Sequence, residues 1–389
     1  MRTRHWLFSD SVMRVALAGF VLLAVFAVAQ VTYAEGTAPV AAGADCANLS
    51  APARGDLHYW HMGMAALAGL VLFIFGVTQL AQGLTDLNTE NMRSVMSRFT
   101  TNRYAGLATG IVATTLLESS SVTIIMVIAM VSGGVLTFLQ ALGVVLGANI
   151  GTTVGAQIIA FRISEYVPLL MFAGLLMLFL SKSETRKRLG VVLLGFGLIF
   201  YGLDAIDAAM KPLRTHEPFL AMMRTLGENA WLGAAVGCLI TLIIQSSSAT
   251  VAIVITLAGS GLISLPAGVA IMLGAELGTC SDTLVATIGR GRPAVRTGVF
   301  HLLFNLISAL LGVTFAHQMV ELVQSISGGV SVGRQIANAQ ILFNVAGAAV
   351  VLPFLPAVAR WLTRLIPDVE PEPSAAVPQQ QLEHGRGAA

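Results

Sequence analysis

The residues best suited to chemistry are two runs of hydroxyls and amides set in apolar sequence. Gln245, Ser246, Ser247, Ser248 and Thr250 lie in TLIIQSSSATVAI, from Thr241 to Ile253. A near copy, TTLLESSSVTI from Thr114 to Ile124, holds Glu118, Ser119, Ser120, Ser121 and Thr123. Where a helix begins inside such a run, its free backbone N–H groups and the hydroxyls can hold an anion. Hydroxyls and unwound carbonyls also suit Na+, a hard cation that prefers oxygen. Neither serine cluster contains Lys or Arg. An anion there would be held by dipoles, hydroxyls and co-bound cations. A lone Ser or Thr in a membrane helix is ordinarily a packing residue. Two triplets at one offset, each splitting an apolar segment, point instead to a transport site between repeats.

The copies reach well beyond the serines. Gly106, Gly110 and Thr114 align with Gly233, Gly237 and Thr241, and Gly147, Gly151 and Thr152 align with Gly274, Gly278 and Thr279 without a gap. Upstream, Gly69, Leu72 and Gly76 match Gly195, Leu198 and Gly202 at an offset one residue smaller. An internal repeat of this length sets the fold.

Composition agrees. The chain has 389 residues, of which 56% are hydrophobic and 11% charged, and its mean hydropathy is +0.80. Those values belong to a polytopic membrane protein lying in a lipid bilayer. A net charge of +2 gives no reason to expect nucleic acid. Cys46, Cys238 and Cys280 are scattered and odd in number, so neither a disulfide framework nor a metal spacing is expected.

Along the chain, residues 1–34 read as a signal peptide or an N-terminal anchor: a basic start, an apolar run from Val15 to Val31, then Thr32-Tyr33-Ala34. Residues 35–60 read as an exported linker. Spanning helices are expected over 61–84, 140–161, 166–180, 189–209, 266–288 and 296–320, each near the ~20 residues needed to cross a bilayer. Residues 85–104 read as polar and amphipathic, and 211–229 as a polar loop. The runs 104–136 and 231–263 are too long for one crossing and too short for two. Each is split by its serines and reads as a re-entrant hairpin, whose irregular tip must be buried in protein. Repeat one spans 61–181, repeat two 188–320, a final transmembrane helix 335–362 and a disordered tail 367–389. The fold class is therefore an all-α polytopic membrane protein of two repeats, each with a spanning helix, a hairpin and two spanning helices. Three crossings per repeat invert the second relative to the first. Arg93, Arg98, Arg103, Lys182, Arg186, Lys187, Arg188, Arg290, Arg292, Arg296, Arg360 and Arg364 then fall inside; Lys211, Arg214 and Arg224 fall outside. The tail is cytoplasmic and the hairpins enter from opposite sides.

QSSSAT at 245–250, ESSSVT at 118–123, GANIGTT at 147–153 and GAELGTC at 274–280 resemble the type II sodium/phosphate cotransporter family. HLLFN at 301–305 and AQILFN at 339–344 also look like helices of that family. The resemblance covers about 60–360. It implies a bacterial cell-membrane symporter working by alternating access, with inorganic phosphate held by Ser119, Ser120, Ser121, Gln245, Ser246, Ser247 and Ser248. It further implies Na+ as coupling ion near Thr123 and Thr250, with Asn149, Thr152, Thr153 and Thr279 as further candidates. Glu118 and Glu276 belong with these Na+ candidates. They are also departures: Glu118 stands where the family usually has Gln, and Glu276 stands opposite Asn149. Asp282 stands opposite Gly155. Intramembrane carboxylates are costly and usually functional. An ionised Glu118 would attract Na+, whereas a protonated one would donate like Gln and could couple transport to H+. H+ coupling, another small anion and phosphate efflux stay open as alternatives. An enzyme is not expected: neither serine cluster forms a G-x-S-x-G elbow, and no His or Lys adjoins either. A polar hairpin can also line an ion channel, but no filter motif accompanies these. No cofactor and no metal beyond Na+ is expected.

Overall fold

The computed structural model describes residues 59–161 and 164–368. The expected signal or anchor, nearly all of the linker and nearly all of the tail lie outside these described residues. Among the described residues every regular element is a helix. Six helices are long and apolar enough to cross a membrane: Tyr59–Leu87, Phe138–Ala160, Glu184–Thr215, Leu265–Val285, Arg292–Thr314 and Val332–Leu365. The chain is thus an all-α integral membrane protein.

The first half runs α1 (Tyr59–Phe99), α2 (Arg103–Leu117), α3 (Ser120–Ser132), α4 (Phe138–Ala160), α5 (Val167–Leu180) and α6 (Glu184–Met210). The second half runs α7 (Glu217–Glu228), α8 (Ala230–Ile244), α9 (Ser247–Gly259), α10 (Leu265–Gly278), α11 (Cys280–Val285), α12 (Arg292–Thr314) and α13 (Ala316–Ile326). Two last helices, α14 (Val332–Val351) and α15 (Leu355–Leu365), follow. The two apolar runs too long for one crossing are each two half-helices: α2 with α3, and α8 with α9.

Local signals repeat between the halves. Asn102 caps α2 by accepting from the N–H groups of Tyr104 and Ala105, and Asn229, its counterpart, caps α8 by accepting from Leu232 N–H. Gly134 and Gly261 each take a left-handed conformation after α3 and α9, with φ of 71° and 79°. Thr137 and Ser264 then cap α4 and α10. The helix after each hairpin is the interior one: 67% of the apolar window in Phe138–Ala160 is buried and 72% of that in Leu265–Val285. Outward faces carry large apolar side chains such as Leu169, Phe172, Phe179, Leu239 and Ile243, which suit lipid.

Close glycine contacts hold the helices together. α2 meets α4 and α8 meets α10 backbone to backbone. A methyl on Gly110 would strike the Val144 carbonyl, and one on Gly237 the Ile271 carbonyl. α1 and α6 cross antiparallel in a reciprocal manner. Gly69 faces Gly202 and Ile206, while Gly76 faces Gly195 and Ile199. In lipid, where apolar burial gives little drive, such close backbone packing is a main source of association.

Several boundaries differ from expectation, among them that of span 296–320, which ends at Thr314 with α13 following, and α5, whose bounds agree, is too short for a full crossing. α1 continues 15 residues past Leu84, to Phe99, because no Gly or Pro interrupts 84–99. α5 has 14 residues, about 21 Å at 1.5 Å per residue, short of a ~30 Å hydrocarbon core; Ser181 to Glu184 end it early. The expected polar loop 211–229 contains an amphipathic helix, α7, started by Pro218 and bent 106° from α8. The final helix is interrupted at Leu352–Phe354 around Pro353, which cannot donate to the helix ladder.

Gly76→Val is expected to destabilise the protein by about 1–3 kcal/mol, since the first added carbon would stand 2.6 Å from Ile199 N. Gly63→Ala, with nothing within 4 Å, should leave thermal unfolding in detergent unchanged or slightly raised. Equal effects of the two would refute the glycine contact as a packing determinant.

Candidate functional site

Each hairpin is broken by the same two-residue device. Glu118 and Gln245 end α2 and α8 in the left-handed region, with φ of 50° and 59°. They are the described non-glycine residues with positive φ, and holding a non-glycine there costs on the order of 1 kcal/mol. Ser119 and Ser246 follow in extended conformation (φ −153° and −152°) and cap α3 and α9, accepting from Val122 N–H and Ala249 N–H at 3.2 Å each. The capping serine satisfies one of the N–H groups that a helix start leaves free. Ser120 and Ser121, and Ser247 and Ser248, form the first turns of α3 and α9.

A hydroxyl relay ties the arms of each hairpin together. Thr114 Oγ1 donates to Thr123 Oγ1 at 3.0 Å, and Thr123 Oγ1 donates to the Ser119 carbonyl at 3.0 Å. In the second hairpin Thr241 donates to Thr250 at 2.8 Å, and Thr250 to the Ser246 carbonyl at 3.2 Å. Thr114, Thr123, Thr241 and Thr250 are all buried. Thr114 and Thr241 were visible as repeat positions, but their function as relay donors needs the hairpin fold.

The tips approach one another. Glu118 of the first hairpin and Ser248 of the second line one cleft of about 40 Å³, together with Gly155 and the apolar walls of α1 and α6. By the usual measure that volume admits a few waters or a small ion. On the other side, the short helix α11 packs on α3 and sets the Asp282 carboxylate beside Ser121, where it accepts from Thr283 N–H at 2.5 Å. Gln245 Oε1 accepts from the Ser281 hydroxyl at 3.4 Å, and its amide nitrogen donates to the Leu242 carbonyl. Ser120 and Ser247 are buried, 7% and 3% exposed.

The other sequence candidates are arranged differently. Asn149, Thr152 and Thr153 lie buried on α4, and Thr279 follows α10; each donates to its own helix, to the carbonyls of Val145, Ala148, Ile150 and Ala275. Their oxygen lone pairs stay available to a cation. Glu276 bonds outside the serine tips. Its Oε1 accepts from Gln340 Nε2 at 2.7 Å and Asn344 Nδ2 at 3.4 Å, both on α14. Asn344 therefore ties α14 to α10. His301 is buried, with Nδ1 2.8 Å from the Thr283 hydroxyl. Among the described residues no ion pair is made by Glu118, Glu276 or Asp282. A G-x-S-x-G string does occur at Gly329 to Gly333, but it is no catalytic elbow: Ser331 caps α14, accepting from Arg334 N–H at 3.4 Å.

Ser281, Asp282 and Gln340 were outside the expected site. The contrast of Asp282 with Gly155 was the signal available for Asp282. Ser281 and Gln340 had none, since their contacts come from helices packed far apart in sequence.

Comparison with known proteins now bears on this geometry. The profile of the Na+/Pi-cotransporter family matches residues 72–208 and 213–354. The chain is 29% identical over 298 residues to the uncharacterized protein YqeW of Bacillus subtilis (strain 168), covering 77% of this chain and 96% of YqeW. It is 29% identical over 307 residues to YjbB of Escherichia coli (strain K12), provisionally named for inorganic phosphate export; this covers 79% of the chain but only 56% of YjbB. It is 31% identical over 130 residues to sodium-dependent phosphate transport protein 2B of Homo sapiens, covering 31% of this chain and 19% of that protein. No solved structure matches.

Removing the relay should rank in a set order. Thr241→Val loses one donor and is expected to cost about 0.5–1.5 kcal/mol. Thr250→Val leaves the buried Thr241 hydroxyl without its acceptor and should cost more, about 1–3 kcal/mol. Thermal unfolding in detergent reads both; the reverse order would disprove the relay.

Proposed function

Since the chain belongs to the Na+/Pi-cotransporter family, we propose that it carries inorganic phosphate across the bacterial inner membrane, coupled to Na+, by alternating access. One observation carries this reading: two broken helices of matching geometry, whose breaks border one cleft through Glu118 and Ser248. Phosphate binds the first-turn N–H groups and hydroxyls at Ser119–Ser121 and Ser246–Ser248, with Gln245 contributing its amide. With no Lys or Arg in either cluster, the positive ends of α3 and α9 and co-bound Na+ balance its charge. Na+ takes oxygens from Glu118, Thr123, Thr250 and the helices carrying Asn149, Thr152, Thr153, Glu276 and Thr279.

Alternating access follows from inverted repeats. The antiparallel, reciprocal crossing of α1 and α6 supports that inversion, because Gly69, Leu72 and Gly76 of α1 repeat as Gly195, Leu198 and Gly202 of α6, the helix that opens the second repeat. The positive-inside orientation is supported by Arg103 donating to the Pro353 carbonyl (2.9 Å) and Arg296 to the Ile366 carbonyl (2.7 Å), which gather charges assigned to one side. A second reading, net phosphate export, is favoured by the similarity to YjbB. The same site serves both directions, since the gradients set the flux.

Phosphate movement is to be followed with full-length protein in vesicles under an imposed Na+ gradient, an H+ gradient, or neither. The expected outcome is Na+-stimulated uptake that S120A and S247A reduce at least about tenfold, as loss of donors to a bound anion would, with unfolding temperatures unchanged. No phosphate movement under any gradient would rule out the substrate. Movement driven by H+ alone would rule out Na+ coupling.

A further inference from the structure

Besides Asn149 and Glu276, whose carboxylate accepts from Gln340 and Asn344, the two halves disagree in charge at two positions by the breaks, and those two disagreements compensate. In register with Glu118 stands Gln245; in register with Gly155 stands Asp282. The three atoms nearest a methyl built on Gly155 all belong to Glu118: Oε2 first, then Cδ at 3.4 Å and Oε1 at 3.8 Å. The Glu118 carboxylate therefore fills the space that a side chain at 155 would occupy. In the second half the residue in register with Gly155 carries a carboxylate of its own, Asp282. Gln245, which would otherwise supply the carboxylate there, is neutral and turned to Leu242 and Ser281. By register, each half thus carries one carboxylate at this pair of positions, on the hairpin break in one and on the segment that follows in the other.

The partners are reciprocal as well. Asp282 lies on α11, which packs on α3, beside Ser121, the last serine of the first hairpin's triplet. Glu118 shares its cleft with Ser248, the last serine of the second. Each carboxylate thus lies by the opposite hairpin, and among the described residues neither has a cationic side chain to balance it.

We infer that Asp282 is the second half's counterpart of Glu118, and that the two carboxylates complete a pair of equivalent Na+ sites, Glu118 with Ser248 and Asp282 with Ser121. The inference deepens the Na+-coupled reading and rests on it. One carboxylate per site neutralises one Na+ and leaves the hydroxyls and helix ends for the anion. Two carboxylates at one site would repel, and none would leave the cation without charge compensation. The exchanged positions keep the count at one on each side.

The prediction is that each carboxylate can be moved to its symmetry-related position without loss. The probe is Na+ alone, without phosphate, at constant ionic strength balanced with choline; the readout is Na+-dependent thermal stabilisation of the full-length protein in detergent. Wild type should be stabilised by Na+. E118Q and D282G should each raise the Na+ concentration for half-maximal effect about tenfold, as loss of a charged ligand would. E118Q/G155D and Q245E/D282G should return it to within about threefold of wild type. G155D with Glu118 retained should behave worse than either relocated form. The inference is overturned if folded relocated variants bind Na+ no better than the corresponding single variants, or if wild-type stability follows pH but not Na+. Should one relocation fail to fold, the other decides. Because phosphate is absent, this pattern can hold even where phosphate transport is not found, and the converse result would remove the Na+ pair while leaving transport standing.

Discussion

A helix broken inside a lipid bilayer leaves backbone N–H and C=O groups that no water can satisfy, and the fold is arranged around meeting that need twice. At each break one residue turns left-handed, the next serine caps the new helix, and two threonines carry a hydroxyl relay back to the capping residue's carbonyl. Such irregular backbone survives at membrane depth only inside protein. α1 and α6 provide that enclosure on one side, and the interior helices α4 and α10 provide it on the other. The groups that stay unsatisfied after capping are the ones a ligand can use. Function here follows from an incompletely satisfied structural requirement.

Enclosure demands close contact, and the contacts fall on glycine. The hairpin arms α2 and α8 lie so near α4 and α10 that facing carbonyls occupy the space of a methyl group. This fixes where each break sits relative to the helix after it. It brings Glu118 against Gly155 and Gln245 against Ser281. α14 adds a tie across the halves: Asn338 accepts from Gln157 of α4 at 2.9 Å, while Gln340 and Asn344 donate to Glu276 of α10.

Much of this was legible in the chain because lipid imposes strong local rules. Polar triplets in apolar runs marked the breaks, and the spacing of repeated glycines marked the paired helices. Element ends were less legible. Polar residues after Leu84 did not stop α1, because a change of polarity is no helix stop without Gly or Pro. The residues 211–229 hid α7, because its short amphipathic pattern resembles a loop in composition. The partners of Glu276 were illegible for another reason. Gln340 and Asn344 sit outside the repeats, and nothing local to Glu276 indicates which helix will pack on it. Asp282 was visible only as an oddity in alignment; its meaning needed the position of the Glu118 carboxylate.

The glycine contacts also bear on how two copies of one segment can drift apart. At Gly110, Gly147, Gly237 and Gly274 an added carbon would meet a main-chain carbonyl of the neighbouring helix. A main chain cannot be moved aside cheaply, so the copies are locked together there. At Gly155 an added carbon would meet only the movable end of the Glu118 side chain. Change is permitted at that position, provided residue 118 changes with it. The duplicated halves can therefore acquire different chemistry at their centre while the glycine contacts that seat their helices stay in place, and the asymmetry of the site becomes a property that can vary without rebuilding the fold.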